Sequence, residues 1–289
     1  MSLGFAPERV TDGCVSWSSA IWQTRATLVQ APRGRILFDP TYFPTEIDCI
    51  AAEAERGAGD GERILLLTHS DWDHVVGCAE LAHWRCVAHA AVAAKDASAR
   101  ARIVEEIRSF DARWYVERRL EPVYPRVDVA IDGEREVELA GEPALLVPAI
   151  GHTDDGLATF FPRLRLLVAG DLLSALEFPF VYHSAAAYRR TLTRVGELVR
   201  ELDIRHLVAG HGPVARDRAE IERRLRDDSD YLNRLTDAVG EAVRDGLRGD
   251  DIAARLATFP FRGSPIGPHQ IDFHNGNIAV VEQELLASA

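Results

Sequence analysis

The sequence predicts a mixed α/β fold (α+β) that ends in a mostly helical extension. Up to about residue 215, short apolar runs typical of buried strands alternate with segments of helical apolar spacing. Four of the strand-like runs end directly in a loop that carries His or Asp beside Gly or Thr. A chain of 289 residues is long enough to bury a substantial core. We therefore expect one large domain, residues 1–215, with residues 216–289 packed on it as a helical extension.

The first part of the chain is predicted to supply strands with helices between them. Strand-like runs separated by turn-forming stretches fill residues 15–39. Further strands are expected at residues 64–67 and 85–88, and helices at 45–56, 78–84 and most of 90–120. The last of these helical segments is insertion-like and could cover a site, although core packing is the more ordinary role for its aromatic residues.

The second part is predicted to add more strands before it becomes helical. The expected strands are a β-meander over residues 127–131, 136–139 and 144–147, a hairpin of 157–161 with 164–168, and a last strand at 206–209. The expected helices are 184–201, with Ser184 as N-cap, then 215–259 with breaks at Gly246 and Gly249, and 278–287. Residues 260–275 show an irregular pattern.

Polar side chains are concentrated in the stretch 68–74, Thr-His-Ser-Asp-Trp-Asp-His, at the end of a buried strand. It contains His69, Asp71, Asp73 and His74, which are two imidazoles and two carboxylates within six residues. At that density these groups repel one another, stay solvated or hold a cation, and both types are common ligands of divalent metals. We interpret the stretch as the first part of a metal site.

Three later loops offer further ligands, each next to an apolar run. They contribute His152, Asp171 and His211. Because strand ends are rigid, loops at them can place side chains within the tolerance that a metal needs. Glycines beside these residues permit tight turns and positive φ angles. The sequence therefore predicts a metal site assembled from four separate loops.

These motifs resemble the metallo-β-lactamase superfamily, whose signature is His-x-His-x-Asp-His followed by a His, an Asp and a His in later loops. The resemblance spans roughly residues 15–215 and includes the usual flanks, Gly-His-Thr at 151–153 and Gly-Asp at 170–171. One position departs from the signature, since Asp71 stands where the second His is usual. The resemblance implies a four-layer αββα sandwich with the site at one edge.

The resemblance also implies how the ligands divide between two divalent metal ions. One ion would take His69, Asp71 and His152, the other would take Asp73, His74 and His211, and Asp171 would bridge them. A shared metal-bound hydroxide would be the nucleophile, and Asp73 could also orient it. Zinc is the favoured metal, with manganese or iron as alternatives, because a carboxylate at position 71 makes the first site harder. If Asp71 instead points away, only one metal binds well.

Three further residues are candidates for supporting the site or touching substrate. In the superfamily an Asp at the end of the preceding strand commonly braces the metal loop, and Asp39 stands there; the alternative is a turn residue before Pro40. Tyr182 belongs to an aromatic loop that could form a substrate wall or pack in the core. His274 lies in a His-Asn-Gly-Asn segment that resembles C-terminal segments returning to the active-site mouth in some superfamily members.

The leading functional prediction is a metal-dependent hydrolase acting on a small ester, thioester or lactone. Asp71 keeps two alternatives open, a phosphodiesterase for a small phosphodiester and a non-haem di-iron oxidoreductase. The helical tail is too short for the flavodoxin-like domain that normally accompanies such oxidoreductases. Antibiotic hydrolysis is not expected, since the zinc β-lactamases usually have Cys where this chain has Asp171. A ligand at every signature position also disfavours a catalytically dead protein.

Composition restricts the partners. The net charge of −12 and the interleaving of Arg with acidic residues disfavour nucleic acid. No apolar run approaches the length of a membrane span, and residues 1–10 lack the pattern of a signal peptide. We therefore expect a cytoplasmic protein with four reduced cysteines and a small-molecule substrate, without nucleic-acid or membrane partners. The sequence leaves a homodimer open.

Overall fold

The computed structural model describes residues 5–288 and contains two large β-sheets that lie face to face. The first sheet has seven strands in chain order. They are β1 (Glu8–Thr11), β2 (Cys14–Ser18), β3 (Arg25–Ala31), β4 (Gly34–Phe38), β5 (Glu62–Leu66), β6 (Arg85–His89) and β7 (Val129–Ile131). Strands β1 to β4 pair antiparallel, whereas β4 to β7 pair parallel.

The second sheet has five strands in the order β12-β11-β10-β9-β8. They are β8 (Arg135–Leu139), β9 (Glu142–Pro148), β10 (Leu157–Phe161), β11 (Leu166–Val168) and β12 (His206–Val208). Only β11 and β12 pair parallel in this sheet. A small ribbon of β13 (Pro260–Phe261) and β14 (Ser264–Pro265) lies near the end of the chain.

Helices occupy the segments between strands and most of the chain after β12. They are α1 (Pro44–Glu55), α2 (Trp72–Val75), α3 (Ala90–Ala94), α4 (Ala97–Trp114), α5 (Ala185–Glu201), α6 (Arg218–Arg244), α7 (Asp250–Arg255) and α8 (Ile271–Ala287). As the sequence predicts, Ser184 caps α5 by accepting a hydrogen bond from the backbone N–H of Ala187. None of the helices among residues 5–288 has the length and apolar character needed to cross a membrane.

Three apolar clusters separate the layers of the molecule. Successive residues of a strand point to opposite faces, so that Ile64 lies between the sheets while Leu65 faces α1 and α4. In the second sheet, Leu166 lies between the sheets while Leu167 packs toward α5, α6 and α8. Helices therefore cover both outer faces, and the predicted four-layer αββα sandwich is confirmed.

Two secondary-structure predictions for the first 140 residues are wrong. Strand β7 does not form a meander with β8; it pairs parallel with β6 in the other sheet. Hydrogen bonds from Asp128 N–H to the Cys86 carbonyl and from Cys86 N–H to the Asp128 carboxylate fix that pairing. The predicted helix at residues 78–84 consists of turns, which follow the single helical turn of α2.

The C-terminal part departs from its predicted pattern near residue 260. Residues 260–275 are not irregular throughout, because they contain the β13–β14 ribbon and the start of α8 at Ile271 rather than at residue 278. Helices α6 and α8 pack on α5 and on each other, and all three contribute to the apolar cluster on the second sheet. The extension therefore shares its core with the sheet that it covers.

Candidate metal centre

The predicted ligands lie in loops that meet at one edge of the sandwich. Strands β9, β11 and β12 run in the same direction, and the loops after them carry His152, Asp171 and His211. The stretch 68–74 follows β5 of the facing sheet. Backbone hydrogen bonds join the sheets at this edge, for example from Leu157 N–H to the Thr68 carbonyl, 2.7 Å. The strand order thus brings four distant segments together.

His69, Asp71 and His152 form what we call the first ligand group. Asp71 Oδ2 lies 3.2 Å from His152 Nε2 and 3.7 Å from His69 Nε2. Asp171 Oδ2 lies 3.3 Å from His152 Nε2 and 3.8 Å from His69 Nε2. The side chain of Asp71 therefore points into the site.

Asp73, His74 and His211 form the second ligand group. The Nε2 atoms of His74 and His211 are 3.4 Å apart, and Asp73 Oδ2 lies 3.6 Å and 3.4 Å from them, respectively. Asp171 reaches this group too, with Oδ1 3.2 Å from His74 Nε2 and Oδ2 3.4 Å from His211 Nε2. Asp171 thus lies between the two groups and contacts both.

The spacing of these atoms fits divalent cations. A tetrahedral ion with bonds of about 2.0–2.1 Å places its ligand atoms about 3.4 Å apart. The buried atoms His69 Nε2, His152 Nε2 and Asp171 Oδ1 have no hydrogen-bond partner within the described part of the chain. The ligand atoms of each group lie within 4.8 Å of one another. Since buried polar atoms are rarely left unpaired, the cluster is suited to hold metal.

The four histidines are oriented through their other ring nitrogen. His152 Nδ1 donates to the Phe180 carbonyl at 2.8 Å, and His211 Nδ1 donates to the Trp22 carbonyl at 3.1 Å. A carbonyl can only accept, so the proton is on Nδ1 and the lone pair of Nε2 faces the centre. This is the tautomer that a metal requires.

Asp39 orients one histidine of each group. Its carboxylate accepts from Thr68 N–H at 2.9 Å, from the Thr68 hydroxyl at 2.6 Å and from His74 Nδ1 at 3.1 Å. Because the hydroxyl proton of Thr68 goes to Asp39, its Oγ1 is left to accept from His69 Nδ1 at 2.9 Å. The structure places Asp39 where the resemblance implied, behind the metal loop.

A second acidic residue links the loops of His69 and His152. Asp155 Oδ2 accepts from the Ser70 hydroxyl at 2.5 Å and pairs with Lys95 Nζ at 3.0 Å. Lys95 also pairs with Asp154 at 2.7 Å. Through Lys95, these bonds connect the two loops to the C-terminal end of α3.

Glycine is required at two positions beside the ligands. A Cβ atom on Gly210 would lie 2.0 Å from Asp171 Oδ1 and 2.8 Å from His74 Cε1, where no side chain fits. Gly170 has φ of +57°, and a Cβ atom there would lie 3.0 Å from Thr68 Oγ1. Close approach therefore explains the glycines that flank Asp171 and His211.

The charges of the cluster shift its pKa values strongly. Burial opposes ionisation of Asp171, but the surrounding imidazoles outweigh it and hold the pKa of that carboxyl well below its usual range. Burial likewise opposes protonation of His211, yet Asp171 raises its pKa to about 9. Burial and the neighbouring His74 lower the pKa of His69. Bound cations would replace the protons that the carboxylates otherwise attract to the histidines.

A cavity of about 570 Å³ opens over both ligand groups. Tyr182 lines it, with its ring centroid 5.0 Å from that of His152. Helix α4 contributes Ile103 and Glu106 to the lining, so the insertion-like segment covers part of the site. Glu177 also lines the cavity, and burial raises its pKa to about 7.

His274 is not brought together with the other predicted site residues. Its ring is fully buried, with Nδ1 accepting from the Tyr231 hydroxyl at 2.9 Å and Nε2 3.3 Å from the Leu256 carbonyl. Its helix neighbour Phe273 lines the cavity instead, together with residues 269 and 270. The sequence therefore predicts the correct segment but the wrong side chain, because the start of α8 determines which of its residues face the cavity.

Sequence reasoning also missed several residues around the site. Trp22, Trp72 and Glu177 line the cavity, although no motif marks them. Thr68 adjoins the signature and could have been assigned its role, because a hydroxyl beside a ligand histidine is a plausible orienting group. The positions of Trp22, Trp72 and Glu177 in the cavity wall depend on loop conformations that the sequence does not reveal.

Comparison with known proteins gives a family and a fold. The model of the metallo-beta-lactamase superfamily matches residues 20–211. No curated protein matches the sequence. A metallo-beta-lactamase family protein from Thermus thermophilus has a TM-score of 0.66 at 20% identity, covering 97% of this chain and 95% of that one.

Two further solved structures share the fold. A stereoselective inverting sec-alkylsulfatase from Pseudomonas sp. has a TM-score of 0.68 at 13% identity; the match covers 98% of this chain and 50% of that chain. This chain therefore spans about half the length of the sulfatase. A metallo-beta-lactamase from Pontibacter korlensis has a TM-score of 0.54 at 14% identity, covering 77% of this chain and 98% of that chain.

Proposed function

Because the chain belongs to the metallo-β-lactamase superfamily, we propose that it is a metal-dependent hydrolase that cleaves a small ester, thioester or lactone. One observation carries the proposal: four imidazole Nε2 atoms and three carboxylates converge at the floor of an open cavity. Each histidine is fixed by a bond to its Nδ1 atom. Such pre-organisation is typical of a catalytic metal site open to substrate.

The ligand set would hold two divalent cations, one in each ligand group, with Asp171 between them. When bound, such cations polarise the scissile carbonyl and lower the pKa of a water molecule. Zinc remains our favoured metal, with manganese or iron as alternatives, because Asp71 adds a hard oxygen ligand to the first group.

The residues of the chain have separable roles in hydrolysis. Asp73 lines the cavity, where its carboxylate can accept a hydrogen bond from the attacking water and orient it. Tyr182 also lines the cavity, where its phenol can donate a hydrogen bond to a substrate oxygen. The overall reaction adds water across the acyl carbon–oxygen or carbon–sulfur bond.

A substrate panel tests the proposal. Metal-loaded protein is assayed with an acyl ester, a thioester, a lactone and bis-p-nitrophenyl phosphate, beside the variants His69→Ala and His83→Ala. His83 is exposed and pairs with Glu55, so it serves as a matched control. We expect the wild type to hydrolyse at least one carbonyl substrate. Turnover should fall more than about 100-fold in His69→Ala, which exceeds the loss typical of outer partners of metal ligands, and it should be unchanged in His83→Ala.

Other outcomes would overturn the proposal. Turnover of the phosphodiester alone would favour the phosphodiesterase alternative. Two equivalents of iron with the absorption of an oxidised di-iron centre would favour the oxidoreductase. No turnover across the panel, with metal bound, would exclude the proposed hydrolase.

We also propose a cytoplasmic location and a small-molecule substrate. All four cysteines are free thiols and three are buried, which suits a reducing compartment.

A further inference from the structure

Large aromatic side chains stand exposed where the cavity opens over the ligand groups. Trp22 is 48% exposed, Tyr182 is 54% exposed and Phe273 is 40% exposed, and all three line the same cavity. They come from the β2–β3 turn, the loop after β11 and helix α8. Exposed apolar groups gathered from separate segments mark a binding surface rather than scattered surface variation.

The Trp22 side of the cavity is held in place by its backbone and its neighbours. Trp22 adopts a φ of +51°, a conformation that residues with a side chain rarely adopt. Its ring makes edge contacts with Trp72 and Tyr42, at centroid distances of 5.6 Å and 5.8 Å. Its carbonyl also accepts the hydrogen bond from His211. A single turn therefore fixes both a metal ligand and an aromatic wall.

Another part of the cavity wall is fixed by the C-terminal extension. Phe273 stacks on Phe180 with centroids 4.4 Å apart and an interplanar angle of 12°. Asn277 holds the Phe180 segment, because its Oδ1 accepts from Val181 N–H at 2.7 Å and its Nδ2 donates to the Pro179 carbonyl at 2.7 Å. The wall is thus preformed, and little ordering is needed when a ligand binds.

Charge does not define the ligand as clearly as these rings do. Glu106 and Glu177 line the cavity, but so do Arg102 and Lys95, and Lys95 is already paired with two aspartates. The aromatic side chains, in contrast, contribute flat apolar surface to the lining of a space large enough for a small organic molecule.

We infer that the substrate carries a flat apolar group, an aromatic ring or fused ring system, on the hydrolysed ester, thioester or lactone, and that Phe273 selects for it. The reaction in this inference rests on the proposed function, whereas the recognition rests on the cavity walls alone. Aromatic faces prefer to stack offset or edge-to-face on another ring. A phenyl or naphthyl group would therefore bind better than a short alkyl group.

Methyl acetate, methyl phenylacetate and benzyl acetate test the selection, with hydrolysis followed by proton release. We expect kcat/KM to be at least roughly tenfold higher for one of the aromatic esters than for methyl acetate. Phe273→Ala should reduce that preference several-fold, measured as the ratio of kcat/KM for the aromatic ester to kcat/KM for methyl acetate. Leu286→Ala is the control, since Leu286 is an exposed apolar residue of the same helix. Equal kcat/KM for the three esters would overturn the inference.

Binding of two anions separates this inference from the proposed function. The affinities of 2-naphthylacetate and acetate are measured by calorimetry on the metal-loaded protein. If 2-naphthylacetate binds more tightly than acetate and Phe273→Ala abolishes the difference, the inference is supported. This holds even if no ester is hydrolysed, although the absence of hydrolysis would contradict the proposed function. Equal affinities, with hydrolysis intact, would overturn the inference and leave the function standing.

Discussion

The two ligand groups share Asp171 but are held by different parts of the molecule. In the second group the side chains of His74, His211 and Asp73 are 0%, 6% and 11% exposed. Their supports, Asp39 and the Trp22 carbonyl, lie in loops that adjoin strands β4 and β3 of the first sheet. In the first group, the side chain of Asp71 is 29% exposed, and His152 depends on the Phe180 carbonyl.

The second ligand group is therefore supported by the sandwich itself, whereas the first ligand group also depends on the C-terminal extension. The Phe180 segment lacks regular secondary structure and is held by Asn277 of α8. The first group also carries the departure from the superfamily signature, Asp71. We therefore expect the second group to bind its cation more tightly and the first group to determine which metal is preferred.

The largest effect on metal binding is expected for Asp39→Asn, because Asp39 orients a histidine of each group. The carboxylate accepts from Thr68 N–H on one oxygen and from the Thr68 hydroxyl and His74 Nδ1 on the other, whereas an amide has only one accepting oxygen and cannot make all three bonds. Metal affinity should fall about 10–100-fold in both groups, as is typical for outer partners of ligand histidines. Calorimetric titration with zinc measures both binding steps.

Asp60→Asn is the control for that experiment, since Asp60 is exposed between α1 and β5. It should bind metal like the wild type. If Asp39→Asn weakened only one of the two steps, Asp39 would not couple the groups through Thr68.

A smaller and more selective effect is expected for Asn277→Ala. The substitution removes the two hydrogen bonds between the Asn277 amide and the Phe180 segment. Among the four histidines, only His152 is oriented by that segment, through the Phe180 carbonyl. The weaker metal-binding step should lose roughly tenfold or less in affinity, near the lower end for such partners, while the tighter step is unchanged. Gln283→Ala, an exposed change on the same helix, should alter neither step. Equal weakening of both steps in Asn277→Ala would contradict the division between the groups.

The smallest effect on metal binding is expected for Asp228→Asn, which instead changes the pH dependence of stability. Asp228 accepts from the backbone N–H of Leu173, two residues after the shared ligand, at 3.1 Å. Burial raises its pKa to about 8, so the folded protein holds this proton more tightly than the unfolded chain does. Its stabilising contribution is therefore complete below about pH 4 and is lost as the pH rises to about 8.

Unfolding by urea at pH 5 and pH 8 measures this effect. Between pH 5 and pH 8, the free energy of unfolding of the wild type should fall by on the order of a few kcal/mol more than that of Asp228→Asn. Since Asp228 lies behind the ligand that both groups share, the ratio of the two metal affinities should stay unchanged in the variant. If both proteins showed the same pH dependence, Asp228 would be ionised in the folded protein at both pH 5 and pH 8, and the prediction would be wrong.

The convergence of the candidate ligands could be predicted because each of them adjoins an apolar run that forms a strand. His69, His152 and His211 need no knowledge of loop conformation, since the strands bring their own ends to one edge. The same reasoning covers Asp39, which follows β4 directly.

The cavity walls could not be predicted, because they depend on how distant segments meet. His274 and Phe273 are adjacent in sequence, and only the start of α8 decides which of them faces the cavity. Likewise, the apolar pattern of β7 suits either sheet, and pairing with β6 through Asp128 settles the choice. Local patterns identify elements, whereas their partners are chosen by the rest of the molecule.

Elemental analysis of the purified protein tests the central claim, that both groups hold a cation and that Asp71 is a ligand. Wild type and Asp71→His are compared with no metal added after lysis. We predict two equivalents of divalent metal in each protein, with a shift toward zinc in Asp71→His because imidazole is a softer ligand than carboxylate. One equivalent or fewer in the wild type, rising to two in Asp71→His, would contradict the account and leave the second group as the single metal site.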